Sequence, residues 1–282
     1  MMSPPVPDAP PDEILYRRPV RLAASARELW RSREVIWALT RRDFVARYKQ
    51  AVLGVGWAVF TPVVLMVVFS VFFQRVTKVD TGGVPYALFA YLGLLPWTFF
   101  SAALLQGGTS LVSNNQLIRK IRCPREFFPI AGVAVALVDG AIAVGVLLVL
   151  FAVKGFAPHG LAVLAPAFLL IQVAFALGAS LIASAVLVHV RDLRHGLPVL
   201  LQLGLFATPV AYGLDAVPPH WRPAYSLLNP LVPVIDGYRR TVLLGVQPQW
   251  GLVGLGALGA AISLVGGYAL FKKLEPGIAD VA

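Results

Sequence analysis

The chain has 282 residues, of which 58% are hydrophobic and only 13% are charged, and its mean hydropathy is +0.75. A soluble domain carries about a quarter charged residues, so this composition excludes a water-soluble enzyme and predicts an all-α polytopic membrane protein. The net charge is +10, and its distribution along the chain indicates membrane orientation rather than nucleic-acid binding. The single cysteine, Cys123, cannot form an internal disulfide.

The amino-terminal region is predicted to lie outside the membrane core. Residues 1–24 are rich in proline and basic side chains and are predicted to form a disordered tail. A cytoplasmic amphipathic helix is predicted over 25–49, because Ser25 and Glu28 form a candidate capping box and aromatic residues follow at seven-residue spacing. Such a helix would lie in the headgroup region. It is either a generic interfacial anchor or the border of a translocation path.

Long intervals between charged residues predict six transmembrane helices, since each span needs roughly 20 apolar residues. The predicted spans run over about 51–73, 86–106, 127–153, 161–188, 196–214 and 250–271, within a transmembrane domain of residues 50–272. Most Lys and Arg residues fall in segments that are cytoplasmic if the amino terminus is inside. Both termini, including a tail over 273–282, are therefore predicted to be cytoplasmic.

Two loops carry structural signals of their own. The cytoplasmic segment 113–126 places Leu117 and Ile118 among basic residues, which suits a short helix presented to another protein. The alternative is that its basic residues only enforce the membrane topology. The outer loop 215–249 contains an apolar stretch, 227–244, that is too interrupted to span and predicts re-entrant or interfacial helices.

The sequence offers little chemistry of its own. It contains no Gly-x-x-x-x-Gly-Lys-[Ser/Thr] motif, so active transport would draw its energy from a partner or an ion gradient. The only acid well inside a predicted span is Asp139, which is either a functional residue or the acceptor of an interhelical hydrogen bond. His189, Asp192 and His195 recur at three-residue spacing, but a helix end is favoured over a metal site. No catalytic residue, metal ligand or cofactor-binding residue is predicted.

Aromatic residues cluster towards the outer halves of the first two predicted spans, and Tyr212 lies near the outer end of the fifth. Interfacial belts account for many of them, whereas a lumen-facing subset would stack on the apolar faces of sugar rings. The candidates for such stacking are Phe69, Phe72, Phe73, Tyr86, Phe89 and Tyr212.

Several motifs stand in order along the chain: RRDFVARYK at 41–49, NQLIRK at 115–120, PRE at 124–126, RDL at 191–193, TPVAY at 208–212, NP at 229–230 and YR at 238–239. Together they resemble the membrane subunit of the type-2 ABC exporters that move O-antigen, capsular polysaccharide or teichoic acid. The first run is similar to the segment that leads into the first helix of that family. The second and third are similar to its coupling segment.

The resemblance implies a six-helix half-transporter that forms a homodimer in the bacterial cytoplasmic membrane. It would pair with two copies of a separate cytoplasmic ATPase, which would hold the ATP and Mg²⁺. Docking to that ATPase is implied for Asn115, Gln116, Leu117, Ile118, Arg119, Lys120, Arg125 and Glu126. The pyrophosphate of a lipid-linked glycan is anionic, and candidates for guiding it in are Arg41, Arg42, Arg47, Tyr48 and Lys49.

Three alternatives predict different features. An ABC permease for a drug or another lipid would be expected to lack the runs at 47–49 and 124–126. An ion-coupled carrier would require inverted repeats and more buried ionisable groups. A membrane enzyme of glycolipid synthesis would require clustered acids or a metal-binding constellation, but the acids here are scattered. The sequence favours export of a lipid-linked polysaccharide, powered by ATP hydrolysed on a partner.

Overall fold

A computed structural model describes residues 32–49, 54, 56–72, 81–120, 123–190 and 192–281, without the side chains of 119, 120 and 276–281. These residues form an all-α protein, as the composition predicts. The predicted tail, 1–24, and the predicted beginning of the first helix lie outside the described residues.

The described residues form ten α-helices. They are α1 (Arg33–Tyr48), α2 (Gly56–Phe72), α3 (Tyr86–Ser113), α4 (Asn115–Lys120), α5 (Phe127–Lys154), α6 (Ala165–His189), α7 (Leu193–Ala207), α8 (Arg222–Leu228), α9 (Leu231–Tyr238) and α10 (Trp250–Val281). Shorter segments are two 3-10 turns, Gly160–Leu164 and Leu214–Ala216, and a π turn, Arg239–Leu243.

Among the described residues, four helices are long and apolar enough to cross a membrane: α3, α5, α6 with its preceding 3-10 turn, and α10 as far as Glu275. Helices α2 and α7 are also apolar but have only 17 and 15 described residues. At 1.5 Å per residue they measure about 25 and 22 Å, less than the roughly 30 Å of a hydrocarbon core. The six-span count therefore stays a prediction for these two helices.

Three predicted boundaries differ from the observed ones. Helix α3 continues past residue 106 to Ser113, and α10 continues past residue 271 to Val281. Helix α7 begins earlier than predicted and ends at Ala207, because Thr208 is extended and the following Pro209 has no N–H to donate. The predicted fifth span, 196–214, is therefore a shorter helix followed by non-helical chain.

Helix α3 lies at the centre of the bundle and packs against α2, α5 and α6. Gly107 and Gly108, which follow directly on the predicted end of the second span at residue 106, lie buried within α3. A Cβ atom on Gly132 of α5 would stand only 2.7 Å from the backbone nitrogen of Gly107. Small residues thus allow close backbone approach between membrane helices, and they mark packing positions rather than helix ends.

The connecting segments group at the two ends of the bundle. At one end the His159 backbone N–H donates to the Val242 carbonyl at 3.2 Å. At the other end α1 meets the end of α3 through Arg42 and Asn114, at 2.5 Å. This grouping fits a chain that threads back and forth, with the predicted outer loops together and the predicted cytoplasmic segments together.

Candidate functional site

Helix α1 packs along one side of α5. Leu39 packs in an apolar cluster with Phe127 and Phe128 at the start of α5. Arg47, at the other end of α1, reaches Asp139, twelve residues or about 18 Å further along α5. The placement of α1 in the headgroup region stays a prediction.

Asp139 joins α5 to the last turn of α1 through both of its carboxylate oxygens. Arg47 Nη1 donates to Oδ2 at 2.7 Å, and the Tyr48 hydroxyl donates to Oδ1 at 2.7 Å. The Asp139 side chain is 14% exposed and that of Arg47 is 44% exposed. Of the two readings of Asp139, the structure therefore shows the interhelical hydrogen bond, and it adds an ion pair.

The Tyr48 hydroxyl is suited to remain a donor. Burial, together with the hydrogen bond to Asp139 and its negative charge, raises the pKa of Tyr48 to about 12. The phenol therefore stays protonated at neutral pH, where it can donate to any anion in the position of the Asp139 carboxylate.

A cavity of about 170 Å³ opens where the end of α1 meets α2, α3 and α5. Its polar wall comprises Arg47, Tyr48, Thr61, Thr98 and Asp139. Its remaining wall is mostly apolar and comprises Trp57, Ala58, Pro62, Phe99, Ala102, Ala136, Gly140 and Ala143. Pro62 lies inside α2 and leaves the Ala58 carbonyl without its helical N–H partner, which is tolerated beside a polar cavity. One side of this space can thus accept an anion and the other an apolar chain.

Of the five residues predicted to guide an anion, Arg47 and Tyr48 line the cavity. Arg42 instead bonds Asp43 and Asn114. Arg41 and Lys49 are exposed outside the cavity. The roles of these five residues remain predictions, but the structure brings two of them together with Asp139.

The predicted glycan-stacking aromatics have different surroundings. Phe69, Tyr86 and Phe89 are buried in the core of the chain, so protein covers their ring faces. Phe72 is exposed and Tyr212 partly so, whereas Phe73 lies outside the described residues. Stacking on sugars therefore remains a prediction, and the buried rings have a packing role in this conformation.

Sequence reasoning missed the buried guanidinium of Arg239, which is 3% exposed. Its Nη1 donates to the carbonyls of Pro209 and Tyr212, at 2.8 and 2.9 Å. Its Nε and Nη2 both donate to the carbonyl of Phe89, each at 3.2 Å. Nη2 also donates to the carbonyl of Val210. The guanidinium carbon lies 3.6 Å from the centre of the Phe89 ring. Arg239 thus ties the π turn after α9 to the start of α3 and to the chain after α7. Its only signal in the sequence is its place in the last outer loop beside Tyr238, where the chain resembles the exporter family.

The predicted docking segment is partly tied to α10. Glu126 is 3% exposed and accepts from Lys272 Nζ at 2.8 Å, while the same nitrogen lies 3.0 Å from Glu275. Arg125 donates to the Glu275 carbonyl. These four residues form a link that joins the beginning of α5 to the end of α10, here called the cytoplasmic link because the predicted topology places it on the cytoplasmic side.

The rest of the docking segment offers less free surface than predicted. Leu117 and Ile118 pack against the apolar cluster that contains Leu39, Phe127 and Phe128, whereas Gln116 is exposed. The side chains of Arg119 and Lys120 lie outside the described part of the structure. Docking to an ATPase therefore stays a prediction for this segment.

A comparison with protein families identifies the fold. The model of the family described as ABC-2 type transporter matches residues 34–243. The chain belongs to this family. The match includes every cavity-lining residue and Arg239, and it ends before α10.

Curated relatives give the same result over most of the chain. The chain is 33% identical over 214 residues to the O-antigen export system permease protein RfbA of Myxococcus xanthus, covering 76% of this chain and 82% of that protein. It is 28% and 27% identical to two proteins of the same name from Klebsiella pneumoniae, each over 255 residues, which cover 88% of this chain and 95% of the relative. The chain is therefore a multi-pass membrane subunit of an ABC transporter rather than an enzyme, and its family works with an ATP-binding subunit.

Proposed function

We propose that this chain is the permease subunit of an exporter that moves a lipid-linked polysaccharide of the O-antigen type across the bacterial cytoplasmic membrane. The observation that carries the proposal is that three relatives with O-antigen export in their names match most of this chain. Capsular polysaccharide and teichoic acid belong to the same substrate class, since each is a glycan built on an anionic lipid carrier.

The energy for export comes from ATP hydrolysed on a separate cytoplasmic subunit. In support, the sequence has no P-loop. The ATP and Mg²⁺ would be held by that subunit, and this chain would bind no cofactor. Segment 115–126 is the proposed docking surface, with the exposed Gln116 available for contact and the cytoplasmic link behind it.

The assembly contains two copies of this chain and two of the ATPase. Support for the homodimer comes from α2 and α7, because each presents a face of large exposed apolar side chains. None of the described residues of α7 is buried within the chain. Large apolar side chains are exposed on both helices: Trp57, Phe60, Val67, Val68, Val71 and Phe72 on α2, and Val199, Leu200, Leu203 and Phe206 on α7. A second copy would cover part of these faces.

Both termini lie in the cytoplasm, so the cytoplasmic link faces the ATPase and the Arg239 side of the bundle faces outward. In this orientation the cavity lies about halfway along α5. It is then reached from the cytoplasmic side along α1. Arg47 is the proposed first contact of the carrier's phosphate with the protein, because its guanidinium is accessible and can bind phosphate in a bidentate manner.

Purification from the native membrane tests the assembly. The chain would be extracted in mild detergent, its co-purifying proteins identified by mass spectrometry, and the mass and ATP hydrolysis of the complex measured. We expect an equimolar subunit bearing a Walker A motif and a mass that fits two copies of each chain. A chain that purifies alone after crosslinking in the membrane would contradict the proposed partner.

Deletion of the gene in its own host tests the substrate. We expect the lipid-linked polysaccharide to accumulate on the cytoplasmic side and to disappear from the cell surface. Restoring the gene on a plasmid should reverse both effects, and the same plasmid without the gene serves as the control. Normal surface polysaccharide in the deleted strain would contradict the proposed function.

A further inference from the structure

We infer that Asp139 competes with the phosphate group of the substrate for Arg47 and Tyr48, so that substrate binding displaces its carboxylate and releases the last turn of α1 from α5. The inference deepens the proposed function and rests on it for the identity of the ligand. The ligand class is a phosphate or diphosphate ester that carries an apolar chain.

The donors around Asp139 are arranged as a phosphate requires. One carboxylate oxygen accepts from Arg47 and the other from Tyr48, each at 2.7 Å. A phosphate group also presents adjacent anionic oxygens, and guanidinium groups bind either anion through parallel N–H donors. The same two side chains can therefore bind the carboxylate or a phosphate oxygen pair.

The Asp139 carboxylate and a phosphate group cannot both bind in the cavity with full affinity. A phosphate bound to Arg47 would lie beside an ionised Asp139, and two like charges so close together repel each other. Ion pairs with an exposed partner are weak, and Arg47 is 44% exposed. A ligand with greater charge can thus displace the carboxylate without first breaking a fully buried pair.

The surroundings of the pair favour a phosphate attached to an apolar chain. Trp57, Pro62 and Phe99 line the same cavity as Arg47. Arg47 and Tyr48 are also among the last residues of α1. When the substrate replaces Asp139 as the partner of Arg47 and Tyr48, the two hydrogen bonds that hold the end of α1 to the middle of α5 break. Substrate binding is thereby linked to movement of α1.

The test uses the full chain in complex with its co-purifying ATPase subunit, in nanodiscs of phosphatidylcholine. The probe is farnesyl diphosphate, and its Kd is measured by calorimetry. We expect Asp139→Asn to tighten binding and Arg47→Gln to weaken it, each by about fivefold. A change of this size corresponds to the upper end of the usual strength of a partly exposed ion pair.

Charge-matched controls lie on the exposed cytoplasmic beginning of α7. Asp192→Asn and Arg194→Gln remove the same charges outside the cavity and should leave the Kd unchanged. Opposite effects at Asp139 and Arg47 identify competition, because a purely structural pair predicts weaker binding in both variants. Weakened or unchanged binding in Asp139→Asn would overturn the inference.

Two further measurements identify the source of the ligand and test the proposed function independently of the inference. In nanodiscs that contain phosphatidylglycerol, retained farnesyl diphosphate binding supports a diphosphate carrier as the ligand, while full loss of binding means that phospholipid headgroups occupy the site and overturns the assignment. Export is measured separately in the deleted strain. Normal export in the deleted strain together with opposite Kd effects would refute the proposed function alone, and absent export in that strain without those effects would refute the inference alone.

Discussion

Gly93 of α3 leaves the space that the guanidinium of Arg239 occupies. A Cβ atom at position 93 would collide with Arg239 Nη2, and it would also stand 2.6 Å from the carbonyl oxygen of Val210. The absence of one methyl group therefore allows an arginine to be buried between the start of α3 and the chain after α7.

We expect Gly93→Ala to destabilise the protein, because the added methyl group must push Arg239 from its carbonyl partners. Overpacking of this kind costs about 1–3 kcal/mol, and the thermal melting temperature in detergent measures it. Gly145→Ala on α5 is the matched control, since a Cβ there meets no atom within 4 Å. That control should be neutral or stabilising by up to about 1 kcal/mol. Equal melting temperatures for the two variants would contradict the role of Gly93.

Replacement of Arg239 by Gln should be more damaging than replacement of its neighbour. Arg239→Gln removes donors from several buried carbonyls, each of which costs about 1–3 kcal/mol when left unpaired. Arg240 is more exposed and bonds the Gln247 carbonyl, so Arg240→Gln should change stability by less than about 1 kcal/mol. Folded yield and melting temperature measure both variants. Similar losses in the two would show that burial of Arg239 is unimportant.

The two halves of the Glu126–Lys272 pair should be energetically coupled. Lys272→Met leaves the buried Glu126 carboxylate without its cation, whereas the double variant with Glu126→Gln removes both charges. We expect the double variant to be more stable than the sum of the single effects predicts, with a coupling energy of about 0.5–3 kcal/mol. Chemical unfolding of the four proteins gives this value. Additive effects would mean that the cytoplasmic link contributes no pairwise energy.

Cys123 should react slowly with maleimides. Burial, together with the negative charge of Glu126, raises the pKa of the Cys123 thiol, and only the thiolate reacts. We expect the labelling rate to rise at a higher pH than that of the unfolded chain. Glu126→Gln should shift the rate profile towards lower pH. Mass spectrometry over about pH 7–10 measures the single thiol, and a profile identical to that of the unfolded chain would contradict the prediction.

Some features of the fold follow from local sequence and others do not. The helices that become α3 and α5 are predictable because long apolar intervals mark them, and only Asp139 interrupts that of α5. The end of α7 was not predicted, because the charge-free interval extends to residue 214 and a proline is compatible with a helix interior elsewhere in the chain, as at Pro62. The extension of α10 was not predicted either, because Lys272 and Glu275 look like a soluble tail until their partners are known.

The site shows the same limit more clearly. Asp139 stands out in the sequence as a lone acid in an apolar stretch, but its partner Arg47 is 92 residues away. Only the packing of α1 along α5 brings the two together. Trp57 and Phe99 became cavity residues for the same reason, since aromatic spacing does not indicate which cavity a ring will line.

The glycine contacts between helices have a mechanical consequence. A Cβ atom on Gly132 would meet the backbone of Gly107, and one on Gly178 would collide with the backbone of Ser263. Main chain in direct contact has no rotamers with which to accommodate sliding, so we expect α3 to move together with α5, and α6 together with α10. We expect shape changes during a transport cycle to occur mainly in α1, α2 and α7, whose side chains can exchange partners.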